Sequence, residues 1–127
     1  MQDNNLFEYA VLRVVPRVER EEFVNVGVII YCAKQKFLQA LFTVEEAKLS
    51  AFSKNIDISE IMDNLCAFQQ ICAGNADCGT IAKLDQASRF RWLTAMRSTV
   101  IQTSRVHPGF CKDAGDKLQA LYNEMVL

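Results

Sequence analysis

The stretch Phe23 to Cys32, FVNVGVIIYC, constrains what this chain can fold into more than any other. Val24, Val26, Val28 and Ile30 alternate at the period of two that lines one face of a strand, and Ile29 and Tyr31 make its far end apolar on both sides. A strand of that kind belongs inside a sheet. A second run, Leu6 to Val15, is rich in aromatic and β-branched residues and stops at Pro16, which has no N–H to give to a ladder. The charged segment Arg17 to Glu22 connects the two, and Ala33 to Lys36 leads on to Phe37 to Phe42, completing an antiparallel hairpin whose turn type is not evident without Gly or Asn.

The pattern then changes to helix. Thr43-Val-Glu-Glu46 has the form of a capping box, and Asp57 with Glu60 repeats it. Behind Asp57, apolar residues at Ile58, Ile61, Met62, Leu65, Phe68 and Cys72 recur near a period of 3.6, with Gly74 placed to end the helix in a left-handed conformation. Asp85 to Ala95 reads as another helix, with Phe90 and Leu93 inward and Arg89 outside. Arg97 to Ser104 is β-branched and reads as a strand, Val106-His-Pro-Gly109 as a turn, and Lys112 to Met125 as a last helix burying Leu118, Leu121, Tyr122 and Met125. Strands first, helices in a block, then one strand and one helix predict an α+β fold: a four-stranded, mainly antiparallel sheet with three to four helices packed on one face. The late strand must cross back to the early hairpin, which would bring Arg97 to His107 near Arg13 to Asn25. At 127 residues the chain suits a single domain, able to remove about two thirds of its unfolded surface from water.

With 14 Lys and Arg against 15 Asp and Glu, the net charge of -1 excludes binding of nucleic acid by bulk charge. The charge is unevenly distributed, however. Ala40 to Asp85 holds seven acids and three bases, whereas Gln86 to Lys112 holds five bases and no acid, together with His107 and Trp92. Cys32, Cys66, Cys72, Cys78 and Cys111 are odd in number and scattered, which points to reduced thiols. The six-residue spacing of Cys66, Cys72 and Cys78 is too wide for a usual zinc site, so neither metal nor cofactor is expected. The polar start is not a secretory leader, and no apolar run approaches the ~18 residues of a membrane span, so a cytoplasmic protein is expected.

Three runs carry a resemblance: Tyr9-Ala-Val-Leu-Arg-Val-Val-Pro-Arg17, Glu21-Glu-Phe-Val-Asn-Val-Gly-Val-Ile-Ile-Tyr-Cys32, and Arg97-Ser-Thr-Val-Ile-Gln-Thr-Ser-Arg-Val-His-Pro-Gly109. With them the chain resembles the bacterial domain-of-unknown-function family 3037 over nearly its whole length. The resemblance implies a small bacterial protein, encoded in many cases beside a kinase resembling the HipA toxin kinases. It brings no catalytic residues.

The candidate ligand-binding residues are Arg13, Arg17, Asn25, Arg97, Ser98, Thr103, Arg105 and His107. Arg13 interrupts an apolar strand, and an uncompensated buried charge costs several kcal/mol, so it either pairs with Glu8, Glu21 or Glu22 or grips a phosphate or carboxylate with its planar fork. Gly27 inside a strand marks a bulge or a close backbone approach, the alternative being a ligand beside Asn25. His107, the only imidazole, is the sole histidine open to acid–base work, with Ser98, Ser104 and Cys111 as nucleophiles in reach by sequence. None of these lies in a nucleophile elbow, and no phosphate-cradling loop or H-E-x-x-H helix is present. Three readings follow. The first is a non-enzymatic interaction or regulatory module showing a basic, polar surface to an acidic partner such as that kinase. The second is a phosphate or nucleic-acid binder using Arg13, Arg17, Arg97 and Arg105, and the third a small hydrolase or transferase built on His107.

Overall fold

The computed structural model of the chain describes residues 5–17, 20–54, 56–75, 77, 79–95 and 100–127. The two β-branched runs form the middle of the sheet, as β1 (Asn5–Val14) and β2 (Val24–Cys32), paired antiparallel, with β3 (Phe37–Phe42) beyond β2. The β2–β3 turn closes through Lys36 N–H donating to the Ala33 carbonyl, and Lys36 takes the left-handed conformation (φ 52°) in place of a glycine. Helices α1 (Glu46–Phe52), α2 (Ile58–Ala73) and α3 (Gln86–Leu93) follow, with a short 3-10 turn at Ile81–Lys83. The late strand returns to β1 as expected, in two pieces: β4 (Ile101–Thr103) and β5 (His107–Cys111) lie end to end along its free edge, before α4 (Ala114–Met125). The fold is α+β with a five-stranded antiparallel sheet.

The fifth strand corrects the expected turn at Val106 to Gly109, because Pro108 and Gly109 sit inside β5. Tyr9 pairs with His107 and Phe7 with Gly109, and Gly109 is where the Phe7 ring covers the strand; a Cβ there would lie 2.7 Å from Phe7 Cζ. Of the strand expected over Arg97 to Ser104, Ile101–Thr103 is strand, while 97–99 lie outside the described residues.

Helices cover both faces of the sheet, which corrects the one-sided layer. On one side Leu49, Ile61, Leu65, Phe68, Phe90 and Leu93 pack on Ala10, Leu12, Val14 and Ile29. On the other, Leu118, Leu121 and Val126 pack on Phe7, Val28, Ile30 and Cys32. The apolar far end of β2 is thus buried twice. A bulge explains why Val24, Val26, Val28 and Ile30 do not share a face. Leu12 pairs with Gly27 and Arg13 with Asn25, so Val26 is an extra residue, and the side-chain phase inverts across it: Val24 and Val26 join the α1–α3 core and Val28 and Ile30 the α4 core.

The caps were only partly as expected. Asp57 accepts from Glu60 N and Gly74 ends α2 in the left-handed region (φ 77°). Thr43 does not cap: its N–H donates to the Val26 carbonyl, so β3 pairing continues through it and α1 begins at Glu46 without a side-chain cap. Asp113 caps α4 by accepting from Asp116 N. Gln35 of the β2–β3 turn clamps the start of the same helix, accepting from Ala114 N at 2.8 Å and donating to the Lys112 carbonyl at 3.0 Å.

Candidate functional site

The site is built at the edge of β1. Residues 5 to 9 of β1 face β5 and residues 12 to 14 face β4, and the two edge pieces are out of step. Leu12 pairs with Thr103 and Tyr9 with His107, so Ala10 and Val11 stand opposite Ser104, Arg105 and Val106. The extra residue makes a second bulge. Ser104 stitches it: its backbone N–H donates to the Val11 carbonyl at 2.8 Å, and its hydroxyl accepts from Val11 N and donates to the Arg105 carbonyl, both at 2.9 Å. The only proton of that buried hydroxyl is given to a backbone carbonyl, which cannot act as the base that prepares a nucleophile. The bulge also turns Arg105 out to solvent.

Arg13, opposite Gln102, lies beside this bulge. Together with Thr103, Ser104, Arg105, Phe23, Glu21, Glu22 and Thr94 it lines an open cleft of about 460 Å³. The Arg13 guanidinium stacks on the Phe23 ring, 4.0 Å from its centroid. Its Nε is buried without a hydrogen-bond partner, and desolvation lowers its pKa from the ordinary arginine value. The three carboxylates proposed for it are not its partners. Glu8 holds Arg91 in a two-pronged pair at 2.7 and 2.9 Å, Glu22 holds Arg20 at 2.5 Å, and Glu21 lines the cleft without an ion pair to Arg13. Among the described residues Arg13 is therefore a half-buried cation with no carboxylate on it.

Three of the eight expected residues, Arg13, Thr103 and Arg105, converge on that cleft. The others are elsewhere. Arg17 lines a separate cavity with Pro16, Arg20, Glu22, Phe52 and Ser53. Asn25, paired with Arg13 and on the same face of the sheet, turns instead to α4, where its Nδ2 donates to the Met125 carbonyl and satisfies a group the helix leaves open. His107 stacks on Tyr9 with ring centroids 5.2 Å apart. Arg97 and Ser98 lie outside the described residues. The run of positive charge around them is also less basic in space than along the chain. Arg91 is paired with Glu8, and Arg89 lies over Gly74, with its Cζ 3.2 Å from where a Cβ would stand, and donates to the Leu84 carbonyl. Its charge faces the C-terminus of α2, where the helix dipole favours a cation.

Sequence reasoning missed Phe23 and Thr94 as walls of the cleft; Glu21, expected as an ion-pair partner of Arg13, lines it without pairing. Phe23 was legible in principle, since it sits diagonally from Arg13 across the first hairpin, but only once the bulge had fixed the register. Also missed was an apolar cleft of about 480 Å³ between α2, α3 and β4, lined by Phe68, Ile71, Trp92, Leu93 and Val100. Gln102 and Thr103 of the edge strand β4 line this cleft as well as the first.

Among the described residues no three His, Cys, Asp or Glu side chains gather to hold a metal, and no helix is long and apolar enough to cross a membrane. Cys66 is exposed, Cys32, Cys72 and Cys111 are buried, and Cys78 is outside the described residues. No match to the chain was found among curated proteins or among solved structures. The model of one family, described as protein of unknown function (DUF3037), matches residues 9–126, and the chain belongs to that family.

Proposed function

We propose that this protein is a non-enzymatic interaction module of the bacterial cytoplasm, which receives an acidic group of a protein partner in the cleft around Arg13. The observation that carries this reading is the state of Arg13: half-buried, stacked on Phe23 and, among the described residues, without a carboxylate of its own. A fold gains little from such a group, because a buried charge without a partner is a net cost. A binding protein does gain, because a partly desolvated guanidinium forms stronger charge-assisted pairs with an incoming carboxylate. The kinase resembling the HipA toxin kinases, which the family resemblance suggests, is the first partner to try.

The nucleic-acid reading is the weaker one. Glu21 and Glu22 line the same cleft as Arg13 and Arg105, so a polyanion meets both signs there. Among the described residues the hydrolase reading lacks a nucleophile beside His107, since the Ser104 hydroxyl is hydrogen-bonded within the fold and Cys111 is buried, while Ser98 lies outside them.

The test is Arg13→Met, with binding of an oligo-glutamate peptide and of a single-stranded oligonucleotide measured at two salt concentrations. The expected result is loss of peptide binding with a melting midpoint that is unchanged or raised, because a charge without a partner has been removed. Destabilisation by about 3–5 kcal/mol would instead reveal a structural ion pair and end this reading. Oligonucleotide binding that falls steeply with salt would replace it with the second.

A further inference from the structure

The cleft around Arg13 holds both signs of charge without letting them meet. Arg13, Arg105, Glu21 and Glu22 line one space of about 460 Å³, and Glu22 is tied to Arg20, which does not line it. Among the described residues Arg13, Arg105 and Glu21 are in no ion pair, so two cations and one carboxylate face the same opening and stand too far apart to neutralise each other. Phe23 covers one face of the Arg13 guanidinium, which leaves its edge, where N–H groups match the two oxygens of a carboxylate, as the way in. Glu21 is placed with some strain: its backbone is left-handed at φ 57°, a conformation a glycine adopts freely and other residues only at a cost. The turn by itself would be better served by glycine and does not account for a carboxylate there.

Resting on the function proposed above, we infer that the partner segment received here carries a carboxylate and a cation side by side, the carboxylate on Arg13 and the cation on Glu21. A lone carboxylate satisfies Arg13 and leaves Glu21 unserved. A run of acids, or a phosphate, brings further negative charge against Glu21 and Glu22, and like charges set together are a means of turning a partner away. A Glu and a Lys two residues apart share one face of an extended segment, and such a pair meets both signs of this lining at once. The cleft volume is within the range that admits ligands larger than one small group.

The test uses the whole chain, with binding followed by the backbone amide resonances, which read weak affinities and report the state of the fold in every variant. The probes are three pentapeptides, acetylated and amidated at their ends, Ala-Glu-Ala-Lys-Ala, Ala-Glu-Ala-Ala-Ala and Ala-Glu-Ala-Glu-Ala, together with 6-aminohexanoate. The Glu/Lys peptide should bind about two- to fivefold more tightly than the single-Glu peptide, the gain that one partly exposed ion pair confers, and the double-Glu peptide more weakly than the Glu/Lys one. Glu21→Gln should erase the advantage of the lysine and strengthen the double-Glu peptide, with an unchanged melting midpoint, since Glu21 is exposed and in no ion pair. Arg13→Met should weaken all three peptides. An advantage of the lysine that persists in Glu21→Gln overturns the inference. So does 6-aminohexanoate binding as tightly as the Glu/Lys peptide, which would make the cleft a site for a small zwitterion. If the three peptides bind equally, or the double-Glu peptide binds best, and Arg13→Met weakens them, the inference falls and the acidic-partner function stands. If no peptide binds, or Arg13→Met changes nothing, both fall.

Discussion

At Gly27 the sheet has no room for a methyl group. A Cβ there would lie 2.4 Å from the Leu41 carbonyl oxygen and 2.8 Å from Phe42 Cβ, both on β3. Gly27→Ala must push two paired strands apart, so it should lower the unfolding free energy obtained from urea titration by about 1–3 kcal/mol, the usual cost of overpacking. Ser104 is equally local in its effect. Ser104→Ala leaves the buried Val11 N–H without its acceptor, and the expected loss is about 1–3 kcal/mol in the same assay. A cavity is not the cause, since only one oxygen is removed. The glycine was readable in the chain as a bulge because glycine within a β-branched run has few other uses. The serine was not, because its role exists only where β4 and β5 fall out of step against β1, and nothing in Thr103-Ser-Arg105 announces that offset. Arg13 lies between these cases. Its position on a strand was legible, but its lack of a carboxylate depends on Glu8 and Glu22 having turned to Arg91 and Arg20.

The elements depend on a few polar side chains at their ends. Helix α3 is started by Asp85, whose carboxylate accepts from Ser88 N at 2.7 Å. The Ser88 side chain and backbone hydrogen bonds hold the Asp85 pKa below the ordinary carboxylate value. A depressed folded-state pKa stabilises above the unfolded-state value, and that contribution is lost as pH falls through the folded one. Thermal midpoints followed from neutral to acid pH should show this loss in the parent protein and a smaller acid dependence in Asp85→Asn, which keeps the cap but cannot titrate. The edge strand β5 shows another end effect. Odd residues of β1 bond toward this edge, as Val11 does through Ser104, so Pro108, opposite Glu8, stands where its missing N–H faces outward. Proline is tolerated there and makes the free edge a poorer template for another strand. Read along the chain, Val-His-Pro-Gly suggests a turn, because a proline inside a strand is acceptable only on an edge and edges are a property of the assembled sheet.

In the whole molecule, two apolar layers enclose one sheet, and the cysteines mark them. Cys72 sits in the α1–α3 layer, Cys32 and Cys111 in the α4 layer, and Cys66 faces solvent. Burial pushes the Cys72 thiol up to about 12, against a smaller opposing pull from Arg89, so it carries almost no thiolate at neutral pH. Of these four thiols, native protein should alkylate at Cys66 alone, and mass spectrometry after brief iodoacetamide treatment checks it. Modification of Cys72 before global unfolding would show that the α1–α3 layer opens by itself. The charge distribution is also settled at this scale. Of the five bases between Gln86 and Lys112, folding gives Arg91 to Glu8 and Arg89 to the end of α2 and places Arg105 with Arg13 in the cleft; Lys112 is exposed and Arg97 lies outside the described residues.

The strands β1 to β3, helix α2 with both its caps and the packed stripe of α4 are written in the chain, because alternation, helical periodicity, Asp caps and a left-handed glycine act over a few residues. The α+β class and the return of the late strand to β1 follow from their order. Side-chain phase along β2, the splitting of the last strand and the placement of α4 on its own face were settled by register and by the need to cover a sheet apolar on both sides. The cleft belongs to this second group: Arg13, Phe23, Thr103 and Arg105 come from three separate segments, and only pairing across two bulges brings them around one space.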